Sequence, residues 1–488
     1  MMSQTIVIFG ASGDLTSRKL IPALYQLHRK GRMKQTFRIV GFSRTPISDD
    51  QWREKLLETT RKFCGNSFDR EKWETFAPSL HYCAGDIEKD DFTELDAFLK
   101  KLEGTEEKAD RLYYLSTSPV FYALAVEKLG KANMAAENHE NHEARRVIIE
   151  KPFGTDLKTA QALNDAIHQV FKESQIYRID HYLGKETVNN VLVFRFANTI
   201  FEPIWNRNYI DNIQITANEE VTVGNRAAFY EKAGILRDMF QNHLLQILTF
   251  ALMEPPARFE ADAVRDEKLK VLRAIRTMTP EEVKQNTLLG QYRSYRDEPG
   301  VDPGSRVATF AAIRLMVDNW RWKDVPIYLR SGKGMSCRTT QIVIQFKQPP
   351  HMMFQGGPQR TFNANRLLIQ IQPAEGIQIH FLTKAPDTDM KMQQTEFNFN
   401  FRQSFQGELP EAYERLLLDA MNGDASLFAR SDEVETAWGI IDPVQTAWDT
   451  KISQDPEFYE AGSWGPGSSV DWIQNFGHEW FDFCPILH

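Results

Sequence analysis

Cysteine is scarce. Only Cys64, Cys83, Cys337 and Cys484 occur in 488 residues, and no two stand as C-x-x-C. That excludes a disulfide scaffold and argues against structural zinc; four scattered thiols suit a reducing compartment. Long apolar runs are missing as well. The most apolar stretch, around Leu244–Met253, is too short to span a bilayer, so no membrane partner is expected. The start of the chain lacks a basic region, an apolar region and a cleavage site, and enters a strand-like Thr5–Phe9 directly. No signal peptide is expected, and the cytoplasm is the expected location. There is no excess of positive charge: 58 basic residues stand against 66 acidic ones, a net −8. Nonspecific nucleic-acid binding needs a basic face, so no nucleic-acid partner is expected. A small anionic ligand stays compatible if positive charge gathers at one site. Repeats and low-complexity segments are also absent. What remains, 42% hydrophobic and 25% charged, is the balance of a globular protein able to bury a large core unaided.

Over the first 180 residues, short β-rich runs alternate with helical periodicity. The runs are 5–9, 37–43, 80–86, 111–116, 145–150 and 175–180. Leu15, Leu20, Leu24 and Leu27 recur about once per turn before Gly31, a helix stop. Ser48 with an acidic first turn opens a second helix, and Ser118-Pro119 a third. Alternating strands and helices predict a Rossmann-like, doubly wound parallel sheet. After residue 180 the pattern changes. Helices are predicted at 185–198, 235–253, 411–421 and 432–448, and strands at 307–315, 325–332, 339–347, 366–373, 376–384 and 392–401. Several strands alternate apolar and polar residues, as in Ile369-Gln370-Ile371-Gln372, the mark of an antiparallel sheet with one buried face. The expected architecture is α/β: a nucleotide domain over 1–180, then a larger α+β domain over 181–488 with a mainly antiparallel sheet.

Gly10-Ala11-Ser12-Gly13-Asp14-Leu15 lies between the first strand and the first helix. Glycines there let the backbone approach a pyrophosphate, and the helix start supplies N–H donors. The spacing is G-x-x-G, and an ordinary strand–helix turn is the competing reading. After the second strand comes Gly41-Phe42-Ser43-Arg44-Thr45, with no Asp or Glu for a ribose diol. Arg44 is either a partner for a 2′-phosphate, favouring NADP over NAD, or a solvated surface arginine. Glu150-Lys151-Pro152-Phe153-Gly154 follows the fifth strand, where ligand crevices open. Lys151 there can meet a substrate hydroxyl, or pair with Glu150 on the surface. The densest polar run is Arg178-Ile179-Asp180-His181-Tyr182-Leu183-Gly184-Lys185-Glu186, at the expected domain junction. His181, Tyr182 and Lys185 offer donors suited to a phosphate, and Asp180 suits the orienting of a basic partner.

These segments resemble the glucose-6-phosphate dehydrogenase family. Gly10–Leu15, Glu150–Gly154 and Arg178–Glu186 match three of its motifs in order. Arg237-Asp238-Met239-Phe240-Gln241-Asn242-His243, Arg330-Ser331-Gly332-Lys333 and Gly462-Ser463-Trp464-Gly465-Pro466 extend the likeness over nearly the whole chain. The resemblance implies His243 as general base and Asp180 as its orienting carboxylate. It implies phosphate contacts from His181, Tyr182 and Lys185, with Arg338 near the phosphate end. Sugar hydroxyls would be met by Lys151, Glu219, Asp238 and Lys333. Gly10, Ser12, Gly13, Asp14, Leu15, Lys19, Arg44 and Lys151 would serve the cofactor, NADP, with NAD as a weaker alternative. Ser12 and Arg44 fall where the family meets the 2′-phosphate. Thr45 stands where some relatives carry glutamine, and Arg338 where some carry lysine. A homodimer or homotetramer is implied by the family's habit.

The chemistry asks for the same residue types. Oxidising a hemiacetal hydroxyl removes a proton and a hydride. Histidine is suited to the proton, and a carboxylate to the imidazolium that forms. His243 alone also reads as a buried, hydrogen-bonded core histidine. Asp238 lies five residues before it, about 140° around an ideal α-helix, so the two do not share a face on that geometry. No metal site is expected: His139 and His142 stand in an acidic, asparagine-containing segment and read as solvated. Two other readings compete: a different sugar oxidoreductase, which is not expected to carry the Asp180–Lys185 run, and a non-catalytic NADPH sensor, which would have lost the base or the phosphate ligands. The reading that follows is NADP-dependent oxidation of glucose 6-phosphate at C1 to 6-phospho-D-glucono-1,5-lactone, the first step of the oxidative pentose phosphate pathway.

Overall fold

The structure, a computed structural model, describes residues 3–104, 109–138, 143–351, 365–388, 390–404, 410–450 and 455–484. His139 and His142 lie outside them. Two compact units are present, one made of Met1–Gly184, Arg258–Arg265 and Pro410–Glu435, the other of Lys185–Ala257, Asp266–Leu409 and Thr436–His488.

The first unit is built on a six-stranded, all-parallel sheet. Its strands are β1 (Ser3–Phe9), β2 (Phe37–Ser43), β3 (Leu80–Ala84), β4 (Ala109–Leu115), β5 (Arg145–Glu150) and β6 (Ile176–Ile179). The order is β3-β2-β1-β4-β5-β6, the doubly wound dinucleotide order. β1 and β4 are buried at every residue, as central parallel strands must be when helices cover both faces. Ser48 opens the helix Asp49–Cys64 with a capping box: its hydroxyl accepts from Gln51 N at 3.2 Å, and Gln51 Oε1 accepts from Ser48 N at 2.9 Å. The first helix stops at Arg29, two residues before Gly31.

The boundary expected at residue 180 needs correction, because residues 258–265 and 410–435 belong to the first unit rather than to a contiguous 181–488 domain. Helix Ala412–Asn422 packs on helix Ile21–Arg29 and buries Leu416, Leu417, Ala420 and Met421. Met421 O accepts from Gln4 Nε2 and from Arg146 Nη1, each at 3.2 Å. An apolar helix face announces that it needs a partner; it does not say which one.

The second unit holds a nine-stranded mixed sheet of β7 (Ile210–Asn218), β8 (Thr287–Tyr292), β9 (Phe310–Leu315), β10 (Ile327–Gly332), β11 (Thr339–Phe346), β12 (Arg366–Gln372), β13 (Gly376–Lys384), β14 (Met392–Asn400) and β15 (Glu457–Tyr459). Their order is β14-β13-β12-β11-β7-β10-β9-β8-β15. Pairings are antiparallel except β7 with β10 and β8 with β15. Three of these strands, β7, β8 and β15, are additional to those expected from sequence. β7 escaped notice because Asn212, Gln214, Thr216 and Asn218 do not read as a core strand, yet all four are buried. Gln214 is satisfied by the C-terminal segment: its Nε2 donates to Glu479 O at 2.8 Å and its Oε1 accepts from Phe481 N at 3.0 Å.

The expectation of four thiols is also corrected. Cys337 and Cys484 form a disulfide within the second unit, leaving Cys64 and Cys83 free. A separation of 147 residues hides such a pair from any spacing argument. Burial pushes the Cys83 thiol up to about 11. Among the described residues no helix is long and apolar enough to cross a membrane.

Candidate functional site

In the first unit a cleft opens at the carboxyl ends of β1 to β4, lined among others by Gly10, Ser12, Gly13, Arg44, Asp86 and Thr117. Gly10 has φ +82°, and a Cβ there would stand 2.1 Å from Ser116 O. Only glycine permits this close passage of backbone, which leaves room for a pyrophosphate at the helix start. Ser12 Oγ and Ser43 Oγ are 2.8 Å apart, and Arg44 is exposed at the rim. The donor set fits a dinucleotide. Asp14 and Leu15 open the helix beyond the cleft lining, and Asp14 pairs with Arg18 at 3.0 Å. Lys19 lies in a π-helical turn, Thr16–Leu20, and pairs with Glu411 at 3.0 Å. Glu411 belongs to the returning segment, so no local pattern foretold it.

At the ends of β5 and β6, Glu150 is paired in register with Ile179 and so adjoins Asp180. Glu150 Oε1 accepts from Tyr114 Oη at 2.5 Å and from Tyr413 Oη at 3.1 Å. Burial pushes its carboxyl up, against the opposing pull of those two phenols and of Lys151. Glu150 is therefore held by two tyrosines rather than exposed in a simple surface pair. Lys151 begins the turn, joined to Pro152 by a cis peptide. Asp180 and Tyr182 are buried, and Asp180 Oδ1 accepts from Tyr182 N at 3.0 Å. The His181 and Tyr182 rings lie 5.0 Å apart. Arg178, the first member of the polar run, is buried on Glu173 and Asn164 at 2.6 and 2.9 Å. It anchors β6 rather than reaching a ligand.

In the second unit, two polar clusters gather the remaining residues. Lys185 Nζ donates to Gln372 Oε1, and Arg338 Nη2 reaches the same oxygen at 3.3 Å. Gln372 was not anticipated; its position at the end of β12, before a cis-proline, was the only signal available. The second cluster joins Lys333 to Glu219 and, at 2.8 Å, to Asp238, with the Tyr230 ring 5.6 Å from the ammonium. Burial alone would lower the Lys333 pKa; the Asp238 and Glu219 carboxylates overcome it and raise the value, so the lysine stays charged. One cation and two carboxylates can donate to and accept from a polyhydroxylated ligand.

His243 is buried in the same unit, on a helix that starts beyond a break at Gly234 (φ +62°) and runs to Leu252. Its first part, Leu236–Leu244, is π-helical. Hydrogen bonds from i to i+5 bring residues five apart onto one side of the helix. The 140° separation expected of Asp238 and His243 is thereby corrected: it holds for an α-helix, and this stretch is not one.

A doubly wound parallel sheet with a glycine cradle, followed by a mixed sheet with two polar clusters, defines a dinucleotide-binding class of protein. Comparison with known proteins narrows the class. Residues 7–190 match the family model "Glucose-6-phosphate dehydrogenase, NAD binding domain", and residues 192–481 match "Glucose-6-phosphate dehydrogenase, C-terminal domain". The chain is 44% identical to a glucose-6-phosphate 1-dehydrogenase of Aggregatibacter actinomycetemcomitans, covering 97% of this chain and 96% of the relative. It is 42% identical to that of Rhizobium meliloti, with 98% and 97% covered. Among solved structures, a glucose-6-phosphate dehydrogenase in complex with its substrate glucose-6-phosphate superposes with a TM-score of 0.90 at 35% identity, covering 98% of each chain. A glucose-6-phosphate 1-dehydrogenase from Mycobacterium avium gives 0.85 at 34% identity, covering 99% of each. The chain belongs to the glucose-6-phosphate dehydrogenase family.

Proposed function

We propose that this protein oxidises D-glucose 6-phosphate at C1 to 6-phospho-D-glucono-1,5-lactone with NADP, opening the oxidative pentose phosphate pathway. The observation that carries the reading is the match of both family models to a chain in which Asp180, His181, Lys185 and His243 are all present. In this reading His243 takes the C1 hydroxyl proton, and Asp180 orients its imidazole and stabilises the imidazolium. Bound NADP supplies the hydride acceptor. Lys185 and Arg338, with His181 and Tyr182, hold the phosphate. Lys151, Lys333, Glu219 and Asp238 orient the sugar hydroxyls. Gly10, Ser12, Gly13 and Arg44 hold the dinucleotide, with Asp14, Leu15 and Lys19 beside them on the first helix, and Arg44 favours NADP over NAD. A homodimer or homotetramer is part of the same proposal, supported by the edge strand β14 with Phe397 and Phe399 exposed. So is a cytoplasmic location.

The test is absorbance at the reduced-nicotinamide band with glucose 6-phosphate and NADP, run beside NAD and beside unphosphorylated glucose. No reduction with glucose 6-phosphate and either cofactor would overturn the reading. His243→Ala is expected to lower kcat by about 10²- to 10⁴-fold with a much smaller change in substrate affinity. Near-normal turnover in that variant would remove His243 as the base.

A further inference from the structure

The cleft rim holds a second feature whose parts all lie in the first unit. Tyr82, on β3, is buried, and its phenol reaches both flanks of Arg44. Tyr82 Oη is 2.8 Å from Thr45 O and 3.2 Å from Ser43 Oγ. A phenol has one proton, and a carbonyl only accepts. The Tyr82 proton therefore goes to Thr45 O, the shorter contact, and the Ser43 hydroxyl supplies the other. Burial raises the Tyr82 pKa, so the phenol keeps that proton at neutral pH. Ser43 Oγ in turn meets Ser12 Oγ at 2.8 Å. A three-hydroxyl chain thus runs from the glycine turn to the backbone just beyond Arg44. Arg44 is exposed, so the direction of its side chain depends on how firmly that backbone is held.

We propose that Tyr82 is a positioning residue for cofactor choice: by tying Ser43 and Thr45 it fixes the turn that presents Arg44 to a 2′-phosphate. The phenol acts through the turn and touches neither cofactor nor substrate. Its effect is selective because NAD has no group for Arg44 to meet. The inference rests on the NADP reading of Arg44 given above.

Tyr82→Phe keeps the ring and removes one hydrogen-bonding group. Such a bond is typically worth a factor of about two to ten. The expected result is a KM for NADP raised by about two- to tenfold, with the KM for NAD, and kcat with either cofactor, nearly unchanged. Arg44→Ala is measured in parallel and is expected to weaken NADP more strongly, by about ten- to a hundredfold, again sparing NAD. If Arg44→Ala is selective and Tyr82→Phe raises both KM values equally, or neither, the role of Tyr82 is overturned and the NADP reading stands. If Arg44→Ala is itself unselective, the NADP reading falls. Ser43→Ala, which removes the middle hydroxyl, serves the same comparison should Tyr82→Phe fold poorly: a selective rise for NADP supports the chain, and an equal change for both cofactors overturns it.

Discussion

Gln372 shows how much a single side chain arranges. Its Oε1 draws Lys185 and Arg338 to one point, and its Nε2 donates to Thr340 Oγ1 at 3.0 Å. Two cations on one neutral acceptor form a place that an anion can take over. Lys185→Ala is therefore expected to raise the KM for glucose 6-phosphate strongly while scarcely changing any residual activity on glucose. Steady-state kinetics on both sugars decides this. Small, equal effects would mean that Lys185 only caps its helix or pairs at the surface, where a pair is worth about 0–1 kcal/mol. Glu150 permits a prediction about pH. Its carboxyl is raised above the ordinary 4.5 chiefly by burial. Just above pH 4.5 the folded chain thus binds more protons than the unfolded chain, and this group's contribution to stability falls as pH rises through the folded pKa. Glu150→Gln has no proton to lose. Its Tm relative to the parent is expected to climb as pH rises from about 4.5 towards neutrality, on top of a pH-independent offset. A constant Tm difference over that range would refute the assignment. Gly10, Arg44, Lys151 and the Asp180–Lys185 run stand out in the sequence as candidates because motif residues carry their chemistry with them. Tyr82, Tyr114, Tyr413 and Gln372 were not, since each is an ordinary residue that matters through what it touches.

Helices and strands were read well where the burial pattern is simple. The fully buried β1 is an example; in β12 the alternation marked the strand but not its burial, since Gln370 and Gln372 are buried along with Ile369 and Ile371. β7 was missed because half of its buried residues are polar, and Gln214 among them finds its partners in the distant C-terminal segment. The π-helical stretch Leu236–Leu244 was missed for another reason: apolar periodicity marks the presence of a helix far better than its hydrogen-bond repeat. Helix Ala412–Asn422 was anticipated as a helix, without its partner. Leu417, fully buried on that helix, allows a measure of the docking. Leu417→Ala is expected to destabilise the first unit by about 2–5 kcal/mol, the usual loss for a buried leucine. Denaturant unfolding followed in the first unit provides the check. A change below about 0.5 kcal/mol would mean that the helix face is not part of that core.

At the scale of the molecule, the chain leaves its nucleotide-binding unit at Gly184 and returns to it twice, briefly at Arg258–Arg265 and again at Pro410–Glu435. The second return is close: a Cβ on Gly184 would stand 2.6 Å from Ala412 O. A fragment of residues 1–184 alone lacks the cover that Leu416, Leu417, Ala420 and Met421 provide. It is expected to melt at lower temperature and to bind a hydrophobic dye. Joining residue 184 to segment 410–435 through a short glycine–serine linker is expected to restore a sharper, higher transition. Equal melting of the two fragments would show that the segment contributes nothing to the unit. Residues 1–184 without their later segments are not the complete unit, which no boundary drawn along the chain could reveal. What the sequence determined by itself was local: parallel strands from the alternation of β-rich runs with helical periodicity, the glycine cradle, the capping of Ser48, and the motif residues that place the chain in its family. These follow from interactions within a few residues, or from residue types that chemistry requires wherever they occur. Only the tertiary structure decided the return of 410–435, the Cys337–Cys484 pair, the two tyrosines on Glu150 and the meeting of Lys185 with Arg338. Each joins residues far apart in the chain, and packing chooses among many partners of equal chemistry by shape, which no local pattern encodes.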